Sequence, residues 1–343
     1  MPKVILRNGK ILENYGEPYF VAEFNTSHNG SVDTAKEMIR QAKAVGCDCV
    51  KFQSWSTETL YSQAYYDSNP IAKRFVKKFA LSETDLLGLA LYCKEVGIGF
   101  ASTPYSKQEV DFLIDQCDVP YIKVASMDLV TYPFLEYIAQ KKVPIVLATG
   151  MSDLNEVKKA VSIIEKSGNH NICLLHCISI YPAEISTINL NNILGLREVF
   201  PDYPIGFSDH SLGSEMPIAS VALGTAMIEK HFTLDKTKIG MDNQMAMEPE
   251  EMGVMINQCK NVHIGLGKRD RIVSDAELEQ RKKMRRSIIA KHDMTAGTII
   301  QLNDLDMKRP GSGIPPENIQ ELVGKKLKNN LVKDSLINDN DIE

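Results

Sequence analysis

Two lysines stand inside otherwise apolar, β-rich runs: Lys51 in CVKFQ and Lys123 in YIKVAS. A buried ammonium needs a partner, because it loses its water without compensation. The partner is either a bound anion or an internal carboxylate such as Glu23. With Ser102, Thr103, Ser126 and Ser208 closing neighbouring runs, the two lysines could hold a phosphate and a carboxylate of one small, multiply charged substrate. His210 and His231 close two further runs, and imidazoles on adjacent strands could share one divalent cation while leaving positions open for substrate and water. A strand-end histidine can equally be a hydrogen-bonded core group, so both readings stay open. Asp209 and Glu229 could support the histidines from behind. Glu23 is the candidate general base or water-positioning group, since burial near lysines would tune its protonation. Asp242, in the Gly240-Met241-Asp242-Asn243 loop, could join through the metal or a substrate hydroxyl. Asn25, Gln53, Asp128, Thr149, His176 and Ser179 complete the polar run ends.

These residues need a scaffold that brings many strand ends to one mouth. Eight short apolar runs recur: 19–25, 49–53, 99–103, 121–126, 144–150, 172–177, 205–210 and 227–232. Helical patterns separate them at 34–45, 83–96, 107–116, 155–166, 190–199 and 215–223. Continuous apolar strands imply a parallel sheet covered by helices. Eightfold alternation without a G-x-G-x-x-G after the first strand predicts a (β/α)8 barrel, an α/β fold whose chemistry sits at the C-terminal strand ends. Asn8-Gly9 between two short apolar pieces predicts a hairpin covering the barrel bottom.

The 343 residues, 43% of them hydrophobic, suffice for one large core and a small second unit. A formal charge of -5 gives no electrostatic footprint for nucleic acid or an anionic membrane surface. No apolar run approaches the ~20 residues of a membrane span, and MPKVILRNGK lacks a secretory pattern, so the chain is expected in the cytoplasm. Seven scattered cysteines read as reduced core thiols without zinc-site spacing. After a closing helix over 248–264, a charged stretch over 268–286 reads as a solvated helix or linker, and short β-like pieces follow. The expected division is an N-terminal hairpin over 1–15, the barrel over 16–267, a linker over 268–285 and a small domain over 286–343.

The segments AEFNTSHNGS, VKFQS, ASTPYS, YIKVAS, LATGMS, LLHCISIYPA, IGFSDHSLG, IEKHFTLD, MKRPGSGI and LVGKK together resemble the sialic acid synthase family over nearly the whole chain. The resemblance implies a TIM barrel followed by a β-rich antifreeze-like (SAF) domain. It implies a transferase that condenses phosphoenolpyruvate with N-acetylmannosamine or a related N-acyl hexosamine, giving a nine-carbon 2-keto acid and phosphate. His210 and His231 would bind the metal, usually manganese, with magnesium or cobalt as alternatives. Lys51, Thr103, Lys123, Ser126 and Ser208 would bind phosphoenolpyruvate. Glu23 would act on the attacking water, Gln53 and Tyr181 would line the sugar pocket, and Asp242 would contact the sugar. Arg309 would reach the N-acetyl group in the partner's site, which implies a homodimer with exchanged C-terminal domains.

Four positions depart from the family pattern: Ser27 stands for asparagine, Asp128 for glutamate, Ala148 for serine, and Ser179 occupies a variable position. Asp128 and Ser179 are expected near the sugar, so these changes bear on the acceptor, and a diacetamido sugar for legionaminic or pseudaminic acid is the alternative. A non-catalytic sugar-binding barrel, a pyruvate-dependent metal aldolase and an independently binding C-terminal unit are the rival readings. The first is disfavoured because sugar binding alone needs neither the histidines nor the lysines.

Overall fold

The computed structural model of the chain describes residues 2–343. Tertiary packing divides it into two compact units, one ending at Gly267 and the other spanning Lys268–Glu343.

The first unit opens with the hairpin of β1 (Lys3–Ile5) and β2 (Ile11–Glu13), paired with Val4 opposite Leu12. Gly9 takes φ 83° in its turn, a conformation glycine adopts without penalty. Eight parallel strands follow: β3 (Tyr19–Glu23), β4 (Cys49–Gln53), β5 (Gly99–Thr103), β6 (Ile122–Val124), β7 (Ile145–Ala148), β8 (Ile172–Cys177), β9 (Ile205–Asp209) and β10 (Met227–His231). Their hydrogen-bonded order is β5-β4-β3-β10-β9-β8-β7-β6, and β5 packs beside β6 to bring the two edges together. This is the expected barrel, nearly closed.

Alternation along each strand makes two separate cores. Phe20, Ala22, Val50, Phe52, Ile145 and Leu147 face the helix layer. Tyr19, Val21, Cys49, Tyr121, Val146 and Cys173 face the barrel axis, where Val4, Leu6 and Leu12 of the hairpin join them. The lower interior is therefore solid, and the upper interior is left to the polar strand ends. All seven cysteines are free and buried.

The covering helices start where the sequence can cap them. Ser31 caps Val32–Ala44, and reciprocal capping boxes at Ser82 with Asp85 and Asp153 with Glu156 open Glu83–Val96 and Leu154–Lys166. The segment between β4 and the helix starting at Glu83 carries two helices that the sequence reading passed over, Gln63–Ser68 and Pro70–Phe79. The closing helix runs Pro249–Leu266. No helix among the described residues is long and apolar enough to cross a membrane.

The second unit begins with a solvated helix, Asp275–Met284, inside the charged stretch. Antiparallel β11 (Ser287–Ala290) and β12 (Leu305–Lys308) follow. Isolated bridges such as Met294 to Leu331 and Leu327 to Ile342 tie the remaining chain around a core that includes Ile288, Ile300, Leu322 and Ile337. Residues 297–301 contribute one bridge, from Ile299 to Lys326.

Candidate active site

Register sets the site. Glu23 lies opposite both Lys51 and His231 on its two neighbouring strands, and Glu229 lies opposite Ser208. Because these residues share the parity that faces the axis, they form one layer above the apolar interior. They line a cavity of about 570 Å³ that also includes Gln53, Thr103, Lys123, Ser126, Tyr181 and His210.

At its floor, Lys51 and Lys123 are only 3% and 4% exposed. The Lys123 ammonium donates to both oxygens of Glu229, at 2.7 and 2.9 Å. Lys51 pairs with Glu23, lies 3.8 Å from Glu229 and donates to Thr103 Oγ1 at 3.3 Å. Both lysines thus have internal carboxylate partners, the alternative that the sequence left open. Ser208 Oγ donates to Glu229 Oε1 at 3.1 Å. Burial drives the Glu229 carboxyl up, but Lys123 and Lys51 outweigh it and hold the pKa down at about 2. Glu23 goes the other way: burial raises it, helped by Glu229, and Lys51 offsets only part. Burial works against the charge on Lys51, but Glu229 and Glu23 overcome it and raise its pKa. Gln53 Nε2 and the Asn25 N–H donate to Glu23 Oε1 at 3.0 and 3.1 Å. Gln53 is itself held through its oxygen by Trp55 Nε1 and the Tyr105 hydroxyl, both at 2.9 Å.

Above the floor, the rings of His210 and His231 lie 5.4 Å apart, and Tyr181 packs on His210 with centroids 4.2 Å apart. His210 Nδ1 donates to the Ile178 carbonyl at 2.7 Å, which leaves Nε2 as a lone pair for a ligand. Burial first, and then the neighbouring His210 and Lys51, hold the pKa of His231 well below the imidazole range. Asp242 Oδ2 is 3.8 Å from His231 Nδ1 and is hydrogen-bonded by Asn25. Two imidazoles with a flanking carboxylate fit a divalent cation that completes its shell with substrate and water. Among the described residues no group of three or more His, Cys, Asp and Glu side chains is placed to hold a metal ion, so the protein's own ligands there would be the two imidazoles.

A third wall holds Ser126, Ser179 and Gly150. Ser126 Oγ accepts the Gly150 N–H at 3.1 Å. A Cβ on Gly150 would overlap Ser179 Oγ and stand 2.8 Å from Ser126 Oγ, so any larger residue there would push these two hydroxyls aside.

Several expected positions face elsewhere. Ser102 and Asp209 have the opposite parity to Thr103 and Ser208; Ser102 bonds Ser54 and Asp209 pairs with Lys230 outside the barrel. Asp209 therefore does not back the histidines. His176 also turns outward, against Phe207 and the Ile188 carbonyl. Thr149 spends its hydroxyl on the Leu175 carbonyl at 2.9 Å. Asp128, expected near the sugar, follows Ser126 in a turn; it accepts from Thr131 at 3.3 Å and is not part of the cavity lining. Ser27 sits in the turn after β3, also off the lining, whereas Ala148 and Ser179 are on it. Arg309 is exposed, in the second unit.

The sequence reading missed Trp55, Tyr105 and the cavity-facing residues of the two helices after β4. A signal was present: Asn69-Pro70 is a helix start, and Ala72, Phe75, Val76 and Phe79 keep a helical spacing.

An eight-stranded parallel barrel with paired lysines and two histidines at its C-terminal mouth defines a barrel enzyme acting on a small anionic substrate. The model of the NeuB family matches residues 38–271, and that of the SAF domain matches residues 285–343. The chain belongs to the NeuB family. It is 37% identical to the N,N'-diacetyllegionaminic acid synthase of Legionella pneumophila, over 91% of each chain. It is 35% identical to human N-acetylneuraminate-9-phosphate synthase, over 90% of this chain and 88% of the other. The crystal structure of N-acetylneuraminic acid (sialic acid) synthetase from Leptospira borgpetersenii, in complex with citrate, superposes with a TM-score of 0.74 at 29% identity, covering 81% of this chain and 94% of that one.

Proposed function

We propose that the chain is a nonulosonic acid synthase, a transferase that condenses phosphoenolpyruvate with N-acetylmannosamine or a related N-acyl hexosamine. The carrying observation is the layer of Lys51, Lys123, Glu23 and Glu229 beneath two histidines in one cavity. In the reaction, C3 of phosphoenolpyruvate bonds to the aldehyde carbon of the open-chain sugar, whose oxygen takes up a proton. Water adds at C2 and loses a proton, the C2–O bond to phosphate breaks, and a 2-keto acid and phosphate leave.

Lys51 and Lys123 bind the phosphate and carboxylate of phosphoenolpyruvate, with Thr103, Ser126 and Ser208 as hydroxyl partners. Two lysines and two carboxylates already balance, so beside the arriving anion a carboxylate is placed to accept the proton that the attacking water gives up. Glu23 is suited to take it, since burial raises its proton affinity. Glu23 is therefore the group that receives the proton of the attacking water, and Gln53 fixes its orientation. His210 and His231 would hold a divalent cation, manganese in the first instance, with Asp242 beside it. When bound, that cation supplies Lewis-acid polarisation of the acceptor's aldehyde. Tyr181 and Asp242 border the sugar.

The homodimer with exchanged C-terminal domains and the delivery of Arg309 to the partner's acceptor belong to the same reading, supported by the MKRPGSGI segment and the SAF match. So does a cytoplasmic location, where phosphoenolpyruvate is available.

The test is phosphate release from phosphoenolpyruvate with manganese. It compares N-acetylmannosamine, 2,4-diacetamido-2,4,6-trideoxymannose, its altrose isomer and no sugar, each with and without chelator. Sugar-dependent release that chelator abolishes is expected, as is loss of turnover in His210→Ala and His231→Ala with the fold intact. Release independent of sugar, or unaffected by rigorous chelation, would overturn the synthase or the metal role respectively.

A further inference from the structure

Strands β3 and β10 are neighbours, with Glu23 opposite His231, so the loops that leave them meet at the rim of the cavity. The loop after β10 is anchored at its base. There the Met247 N–H donates to the His231 carbonyl at 2.8 Å, and the Thr233 N–H to the Met247 carbonyl at 2.9 Å. Asn243 ties the loop internally, its side-chain amide donating to the carbonyls of Asp235 and Lys238 at 2.6 and 2.8 Å. At the tip Ile239 and Met241 are exposed, so apolar burial does not hold it. Two residues of the loop after β3 do. Thr26 Oγ1 accepts the Met241 N–H at 3.0 Å, and Asn25 Nδ2 donates to Asp242 Oδ2, 217 positions away.

On backbone grounds alone, glycine would suit position 25 better than asparagine. Asn25 takes φ 39°, in the left-handed region that glycine enters without penalty. What asparagine adds is its amide. A carboxylate offers only acceptors, so the amide turns its donor end to Asp242. The Asn25 backbone N–H meanwhile donates to Glu23 Oε1 at 3.1 Å. One residue therefore touches the carboxylate proposed to receive the water's proton and the carboxylate that stands 3.8 Å from His231 Nδ1. Asn25 is only 7% exposed and Thr26 1%, so water competes little for these bonds.

We propose that Asn25 is a positioning residue for the acceptor: its side-chain amide fixes the Asp242 carboxylate, and with Thr26 it pins the tip of the loop after β10 beside the two histidines. Its backbone N–H keeps Glu23 in register with that carboxylate. The kinetic consequence rests on the reading of the cavity as a phosphoenolpyruvate–hexosamine synthase; the pinning of the loop does not.

The test uses the full-length protein and two variants. Asn25→Gly keeps the backbone conformation and the N–H to Glu23 but deletes the amide, and Thr26→Val deletes the other peg without entering the cavity. Hydrogen–deuterium exchange of the unliganded protein should quicken about tenfold across residues 239–246 in each variant, the scale of one hydrogen bond to a charged group. Exchange in the strand over 227–231 should not change. In parallel, the KM values of N-acetylmannosamine and 2,4-diacetamido-2,4,6-trideoxymannose are measured with manganese. Asn25→Gly should raise the acceptor KM about tenfold and leave that of phosphoenolpyruvate near its starting value. In an Asp242→Ala background the same substitution should add nothing, because Asn25 acts through that carboxylate. Unchanged exchange in both variants overturns the pinning even if the protein turns over both substrates. An equal rise in acceptor KM with and without Asp242 overturns the positioning role. Faster exchange in a protein that shows no sugar-dependent turnover retains the pinned loop and refutes the synthase reading instead.

Discussion

Lys123 and Glu229 join across the barrel axis. Their strands, β6 and β10, are four places apart in the eight-stranded order, yet the ammonium reaches both carboxylate oxygens, at 2.7 and 2.9 Å. The bridge separates the apolar interior below from the polar cavity above, and it pairs two charges that are each only 4% exposed.

Removing one side leaves the other uncompensated. Lys123→Met should lower stability by about 3–5 kcal/mol, because Glu229 then keeps only the Ser208 hydroxyl and, as a cation, Lys51 at 3.8 Å. Adding Glu229→Gln in that background should recover most of the loss. Urea unfolding of the two single variants and the double variant measures the coupling; additive effects would show that the pair acts independently.

His28 is buried outside the site, against Phe52, and burial lowers its pKa from 6.5 to about 4. The unfolded chain then binds more protons than the folded one between these values, so stability should fall as pH drops from about 6.5 toward about 4. His28→Asn should flatten that slope. Unfolding free energies at several pH values check it, and an unchanged slope would assign the acid sensitivity to other groups.

Gly150→Ala should displace the Ser126 and Ser179 hydroxyls while leaving the apolar cores untouched. The expected result is a loss of up to about a hundredfold in kcat/KM for phosphoenolpyruvate, the scale of a small misplacement at a reacting centre, with little change in Tm. A large drop in Tm with normal kcat/KM would make Gly150 a folding residue instead.

Arg309→Ala should raise the acceptor KM more than that of phosphoenolpyruvate. Mixed and refolded with Lys123→Met, it should regain part of the lost activity if each subunit lends its C-terminal domain to the other. Sedimentation as a monomer at micromolar protein, or no regain on mixing, would count against the exchange.

Much of this was legible in the residues. Eight apolar runs specify a parallel barrel because strands buried on both faces leave no polar alternation to confuse them with surface strands. Lys51 and Lys123 announce buried charges that need partners, because each stands inside an apolar run. Parity was also legible, though harder to use: Ser102 beside Thr103 and Asp209 beside Ser208 cannot both face the axis, and the structure turns Ser102 and Asp209 outward. Tertiary structure alone decided the partners. Whether Lys123 meets a ligand or Glu229, 106 positions away, depends on how the barrel closes, and no local pattern encodes that. The same holds for Tyr61, Tyr65 and Phe75: helical spacing predicts an apolar face, but only the packing of that segment beside β4 turns the face toward the cavity rather than into a core.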